Sequence, residues 1–351
     1  MNFDPYTRTP IHRGNIWDSG CLDSEFNVQN FFYQWLAKHG WIQDLDSQKT
    51  WRCGDRTVIV CLVDDVRSCS KDYHTYLPYL FDKNTTVITD SRIECPTMYQ
   101  VWKLPASFYG IYAVDDAMPE WTPERHYAFS INRVDTRRLK LVLELAKRVH
   151  LHKGFVNFNA QLYTHGLHFK ENDNYNSYFE QHWNYLSDED KAKWTSSYEL
   201  LFPQIPLKNY EYEHGEIFHR TYLNIECETY SSDNSVALSE KIFRLLTLPV
   251  PWTCYLGHDG VAYLESLGFD CMLDIIDHTH YDRLKEVENK IGIFMWKSLQ
   301  ILGEMRAKDF EEIKQRAMQA AQHNRELLSK MRQQWPADFD QWQQQYLPQL
   351  M

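Results

Sequence analysis

A chain of 351 residues, 43% hydrophobic and 15% aromatic, carries enough apolar side chain for two cores of ordinary size and too much to stay unfolded. Its formal charge of −11 argues against a surface that is basic throughout, and no apolar run approaches the roughly 20 residues of a membrane span. The eight cysteines form no Cys-x-x-Cys pair and the first residues lack a basic-then-apolar signal, so the expectation is a cytoplasmic protein with reduced thiols.

In chain order, Asn27–Lys38 has helical apolar spacing and Gly40 stops it. Thr57–Val63 is a run rich in β-branched residues, the pattern of a parallel strand buried on both faces. It ends in Asp64 and Asp65, which the strand-end rule for open α/β sheets puts at the mouth of a ligand crevice. A carboxylate there is placed to take a proton from a hydroxyl; the plainer reading is a cap on a helix at Tyr73–Phe81. Thr85–Thr89 and Tyr109–Val114 read as further strands, the second running into Asp115 and Asp116. Two prolines in Pro119–Pro123 make it the expected joint between domains 1–120 and 121–285.

Tyr127–Ile131 reads as a strand, Asn132–Arg138 as its loop and the start of a helix, and Gly154–Phe158 as the next strand. Arg133, Arg137, Arg138, Lys140, Lys147, Arg148 and Lys153 cluster here, either as a solvated helix face with one phosphate-binding arginine or as a basic surface. Residues 162–212, rich in Tyr, Asn, His and Trp without a sustained period, look like an insertion. From Thr221 the pattern is strand, loop, helix, strand, glycine turn, helix and strand: Ser239 caps a helix, Val250–Cys254 is a strand, Gly257–Gly260 a turn, Val261–Leu267 a helix stopped by Gly268, and Asp270–Ile276 a last strand.

Such a βαβαβ unit binds ligands where strand carboxyl ends meet helix N-termini. Glu240 and Lys241 fall in the first helical turn after Ser239, where a glutamate can accept ribose hydroxyls and a lysine can neutralise a diphosphate. On spacing alone, Glu-Lys after a cap is an ordinary helix start. Beyond Asp282, apolar positions recur with helical spacing for about fifty residues. One straight rod of that length would span roughly 75 Å, so a break is expected near Gly303–Asp309. A coiled-coil dimer arm is the rival reading of segment 286–351.

Taken together, Ser130, Asn132, Arg137 or Arg138, Glu226 or Glu228, Tyr230, Ser239-Glu240-Lys241 and Pro249-Val250-Pro251 follow the order of motifs in nucleotide-sugar glycosyltransferases of the GT-B class. The chain resembles their fucosyltransferase-like donor domains. Asn132-Arg133, Gly154–Phe158, Tyr263–Phe269 and Tyr281-Asp282 are similar to transferase-like proteins of large bacteriophages, and this likeness covers about residues 125–290.

The resemblance implies an α/β, GT-B-like fold of two Rossmann-like domains, with a C-terminal helical segment crossing back to the first. It implies an enzyme that takes a sugar from a UDP- or GDP-linked donor, with donor contacts from Asn132, Arg133, Arg137 or Arg138, Glu226 or Glu228, Tyr230, Ser239, Glu240 and Lys241. Asp64 or Asp65 would be the base. The phage likeness points to 5-hydroxymethylated pyrimidine in double-stranded DNA as acceptor, with polysaccharide, lipid or protein as alternatives. No cofactor beyond the co-substrate is expected, and no metal, although Asp274, Asp277, His278, His280 and Asp282 are ligand types. A nicotinamide oxidoreductase is disfavoured because no Gly-x-Gly-x-x-Gly follows Val63, and a nucleotide-binding protein without catalysis stays open.

Overall fold

The computed structural model of the chain describes residues 19–44, 49–62, 83–93, 99–131, 153–158, 217–228, 231–232, 235–285 and 290–351, with scattered positions at 138–148 and 187–192. Helix α1 (Ser19–Lys38) ends before Gly40, whose φ of +82° suits a residue without a Cβ. Strands β1 (Ile42–Gln43), β2 (Thr50–Cys53), β3 (Arg56–Cys61), β4 (Thr85–Thr89), β5 (Arg92–Ile93) and β6 (Gln100–Lys103) follow. The first sheet has the order β1-β2-β3-β4-β6, antiparallel at its β1-β2-β3 edge and parallel from β3 to β6.

The β-branched run of β3 is buried on both faces, as its composition requires. Val58 and Val60 join the main core with Phe32 and Trp102, while Ile59 and Cys61 pack with Val87 and Tyr99 on the other side. Asp64, Asp65 and the expected helix at Tyr73–Phe81 lie outside the described residues.

Tyr109–Val114 is not a strand. Residues Ala106–Tyr112 form a 3-10 segment entered from Pro105 and buried almost throughout. The apolar run that suggested a further strand instead reflects packing against another helix, so close that a Cβ on Gly110 would lie 2.2 Å from the Arg332 nitrogen.

The second sheet is built from β7 (Arg125–Ile131), β8 (Phe155–Phe158), β9 (Thr221–Cys227) and, after the short hairpin β10 (Ser231–Ser232) and β11 (Ser235–Val236) and helix α2 (Glu240–Thr247), strand β12 (Trp252–Tyr255). All four of its strands are parallel, in the order β12-β9-β7-β8. Helices α3 (Gly260–Ser266), α4 (Thr279–Asp282), α5 (Lys290–Ala307) and α6 (Phe310–Tyr346) complete the chain. One face of this sheet meets α5, where the Thr253 and Ser298 hydroxyls are 2.9 Å apart and Tyr255 packs edge-on to Phe294. The opposite face, one residue further along each strand, meets α2.

Asp270–Ile276, expected as the next strand, is a turn. The Asn324 side chain takes both the N–H and the carbonyl of Asp270, Met272 has φ +56°, and the N–H groups of Ile275 and Ile276 return to the Met272 carbonyl. Backbone groups spent on α6 and on a local turn cannot build a ladder.

The helical tail breaks at Lys308-Asp309, inside the interval expected, where Asp309 caps α6 by accepting from Glu312 N–H at 3.0 Å. Helix α6 has 37 residues, roughly 55 Å, and runs on through Pro336. It starts against Trp121 and Tyr222 beside the second sheet. It ends beside the first sheet, with Phe339 against Phe31 and Phe32 and Trp342 Nε1 donating to the Lys103 carbonyl at 2.8 Å. A crossing helix, rather than an arm held out for a partner, is how its apolar face is buried. Strand β5, which follows the first sheet's β4, pairs antiparallel with β11, so the two halves also share a small sheet. The residues of 119–123 run without regular structure between the halves, and Trp121 anchors them by donating to the Thr221 carbonyl at 2.6 Å. Most of insertion 162–212 lies outside the described residues. The architecture is mixed α/β with parallel strands in both sheets.

Candidate functional site

Order β12-β9-β7-β8 has a consequence for ligand binding. From β7 the chain moves to β8 on one side and then crosses to β9 on the other, which makes the gap beyond the carboxyl ends of β7 and β9 a topological switch point. Connections leave that gap in opposite directions, the arrangement at which open α/β sheets bind ligands.

Three segments meet at that point. Arg138, in the helical stretch after β7, is 2% exposed and donates from Nη2 to the Cys227 carbonyl at 3.3 Å. Glu226 and Glu228, two apart on β9 and its end, point to the face that α2 covers. From α2 come Ser239, Glu240, Lys241 and Arg244.

Helix α2 starts here for a local reason. Ser239 takes an extended backbone (φ −106°, ψ 179°) and its hydroxyl accepts from Lys241 N–H at 3.4 Å, the geometry of an N-cap. Glu228 then holds the cap itself, accepting the Ser239 N–H at 2.9 Å and the Ser239 hydroxyl at 2.6 Å. Lys241 Nζ bonds Glu240 Oε1 at 2.6 Å and Ser239 Oγ at 3.4 Å. Burial works to lower the pKa of Lys241, but Glu240 and Glu228 outweigh it and leave the ammonium above its ordinary value. Burial likewise works to raise Glu240, and Lys241 outweighs it so that the carboxyl sits below its ordinary value.

Beneath this layer Glu226 Oε1 pairs with Arg244 Nη2, both side chains almost wholly buried, and the Arg244 guanidinium lies 3.6 Å over the Phe218 ring. Burial pushes Glu226 up to about 7 against the pull of Arg244, and brings Arg244 down to about 10 against the pull of Glu226. Desolvation thus exceeds the attraction for both members, as is common for interior ion pairs. Glu226 also feels the charges of Lys241, Glu228 and Arg138. Arg138, Lys241 and Arg244 therefore face Glu226, Glu228 and Glu240 in one cluster, three cations against three carboxylates.

Of the residues singled out from sequence, Arg138, Glu226, Glu228, Ser239, Glu240 and Lys241 are brought together at the switch point. Asn132, Arg133, Arg137 and Tyr230, with Asp64 and Asp65, lie outside the described residues. Arg244 was missed; its signal is a charged residue inside the apolar run Ile242–Leu246 that buries one side of α2.

A second polar cluster joins the first sheet to the second. Asp90 follows β4 at its carboxyl end, 1% exposed, and its carbonyl accepts from the Tyr109 hydroxyl at 2.7 Å. Lys103, ending β6, bonds the Tyr263 hydroxyl of α3, and burial lowers its pKa against the pull of Asp90. Arg92 donates to the carbonyls of His258 and, at 3.3 Å, Asp259 in the turn before α3. Sequence spacing gave no sign of this cluster, because its members are contributed by four separate segments.

The acidic loop serves the protein's own backbone. Asp282 accepts from Val261 N–H at 2.8 Å and Ala262 N–H at 3.2 Å, capping α3, and Asp270 and Asp274 both pair with Arg316. His278 is buried between the Tyr281 hydroxyl and the Cys271 carbonyl. Among the described residues no group of three or more His, Cys, Asp and Glu side chains is arranged to hold a metal ion.

Comparison with protein-family models, with curated proteins and with solved structures finds no match to this chain. Fold and site together define a class: a mixed α/β chain whose all-parallel sheet carries a buried, charge-balanced cluster at its switch point. No described helix is long and apolar enough to cross a membrane.

Proposed function

We propose that the chain is a glycosyltransferase of GT-B type that transfers a sugar from a nucleoside diphosphate donor. The observation that carries this reading is the meeting of Arg138 with the capped start of α2, Ser239-Glu240-Lys241, beyond the carboxyl ends of β7 and β9. A helix N-terminus, a lysine and an arginine at a switch point suit a diphosphate.

In this reading the donor's diphosphate lies against α2, Lys241 and Arg138, and Glu240 accepts the ribose hydroxyls. As the glycosidic bond breaks, negative charge grows on the leaving diphosphate, and fixed cations that need not reorganise stabilise it. The acceptor hydroxyl enters from the first sheet, where Asp64 or Asp65 takes its proton. The acceptor is the hydroxymethyl group of a modified pyrimidine, turned out of duplex DNA to reach the crevice.

The test incubates the protein with UDP- and GDP-sugars and DNA bearing hydroxymethylated pyrimidine, followed by mass spectrometry. Expected are release of nucleoside diphosphate, gain of one hexose or pentose per modified base, and loss of both in R138M and K241M. Failure of every donor to bind or react would sink the enzyme reading; sugar release onto other acceptors only would sink the DNA part.

A further inference from the structure

Among the described residues, once Glu226 is ionised, the six charges at the switch point cancel: Arg138, Lys241 and Arg244 against Glu226, Glu228 and Glu240. A diphosphate brings about two further negative charges beside the buried Arg138, Glu226, Glu228 and Arg244, and an excess charge there is costly in a medium of low dielectric. The described cations are already protonated, so among the described groups the change that offsets it is a proton gained by a carboxylate.

Glu228 has both oxygens engaged by Ser239, and Glu240 is held by Lys241. Glu226 differs. Its Oε1 meets Arg244, while its Oε2 is buried and has no hydrogen-bond partner among the described residues. The groups facing Glu226 are Glu228 on its own strand, Arg244 and Lys241 from α2, Arg138 from the stretch after β7, and Cys254 from β12, which pairs with it in register. Burial pushes its carboxyl up to about 7 against the pull of Arg244 and Lys241.

We propose that Glu226 is the charge-compensating residue of this site: an anionic diphosphate entering beside Arg138 and Lys241 is accompanied by one proton from solvent, which binds the Glu226 carboxylate at Oε2. The new O–H bond neutralises Glu226, and the Arg244 charge that it had balanced then offsets the ligand. Binding and proton uptake are one linked event, so affinity falls as pH rises above the point where free Glu226 ionises. This rests on the nucleotide-site reading above and adds to it a residue, a stoichiometry and a pH dependence.

The test is isothermal titration of UDP-glucose and of GDP-mannose, whose diphosphate does not itself titrate in this range, into the full chain at about pH 8 in two buffers of different protonation heat. Wild type should take up close to one proton per ligand, and its affinity should fall toward tenfold per pH unit between about pH 8 and about pH 9. E226Q, with an uncharged side chain of the same shape, should bind without uptake, independently of pH, and at least as tightly as wild type at about pH 8. Binding by wild type with no proton uptake, or an E226Q protein that keeps the pH slope, overturns the proposal while leaving the nucleotide site standing. The wild-type calorimetry decides the matter alone if E226Q does not fold. If neither probe binds wild type at any pH, the nucleotide-site reading fails and the proposal falls with it.

Discussion

Glu228 accepts both the N–H (2.9 Å) and the hydroxyl (2.6 Å) of Ser239, so the residue that follows β9 fixes where α2 begins. Two residues earlier on the same face, Glu226 holds Arg244 further into the helix. A helix tied to its strand at two points has little freedom to tilt, and the N–H groups at its start are aimed before any ligand arrives. Pre-aimed donors are what stabilisation of growing charge requires.

Replacing Ser239 by alanine removes the hydroxyl from this tie and from the cap. We expect S239A to lose about 1 kcal/mol in urea denaturation, the usual cost of an N-cap, with S239T losing less. Affinity for a nucleoside diphosphate sugar should drop in S239A by more than its stability loss explains. Unchanged affinity would show that α2 does not touch the ligand.

Arg244 is the more severe case. R244M leaves Glu226 buried without the cation that holds its pKa down, and in the alkaline range, where the wild-type carboxyl is ionised, should cost about 3–5 kcal/mol. The deficit should shrink as pH falls and Glu226 takes a proton. The double variant E226Q/R244M should recover much of the loss, since two neutral groups do not need each other; denaturant midpoints of the three proteins at two pH values are the check.

Two buried groups give stability opposite pH slopes. Glu226 has its pKa raised from 4.5 to about 7, so the folded chain binds more protons in that window, and stability falls as pH rises through it. His278 is pushed from 6.5 down to about 4 by burial, so its contribution is whole above 6.5 and is lost as pH falls toward 4. Each slope reaches at most about 1.4 kcal/mol per pH unit, and over the shared window they oppose each other in the wild type. E226Q should uncover a stability that climbs with pH there, and H278Q one that declines. Chemical denaturation at about pH 5 and about pH 6 reads both.

Gly110 has no room for a side chain. A Cβ would sit 2.2 Å from the Arg332 nitrogen and 2.4 Å from its Cα, both main-chain atoms of α6 that cannot rotate away. G110A should therefore cost about 2–3 kcal/mol through forced separation of the 3-10 segment from α6, read as a lowered thermal midpoint. A neutral G110A would mean that α6 sits further from this segment.

The parts legible in the sequence are those whose signal is local. β3, β4, β7 and the helix break at Lys308-Asp309 follow from runs of side chains that must be hidden on two faces, on one face, or not at all. Ser239 as a cap, with Glu240 and Lys241 after it, follows from the chemistry of a single helical turn. Tyr109–Val114 and Asp270–Ile276 read wrongly as strands because a short apolar run records only that a segment is buried. Whether sheet neighbours or α6 would cover it is decided far along the chain, 54 residues on at Asn324 for Asp270 and further still at Arg332 for Gly110.

By itself, then, the sequence determined which residues are hidden and where helices can start, because these depend on neighbours within a turn or two. Tertiary structure alone decided that β9 lies beside β7 with β8 on the far side, that Arg244 meets Glu226, and that Asp90, Arg92, Lys103 and Tyr263 gather between the halves. Those pairings depend on the order of strands and on the path of α6. Burial then sets the chemistry, since a carboxylate with an exposed position would keep its ordinary pKa, and Glu226 does not.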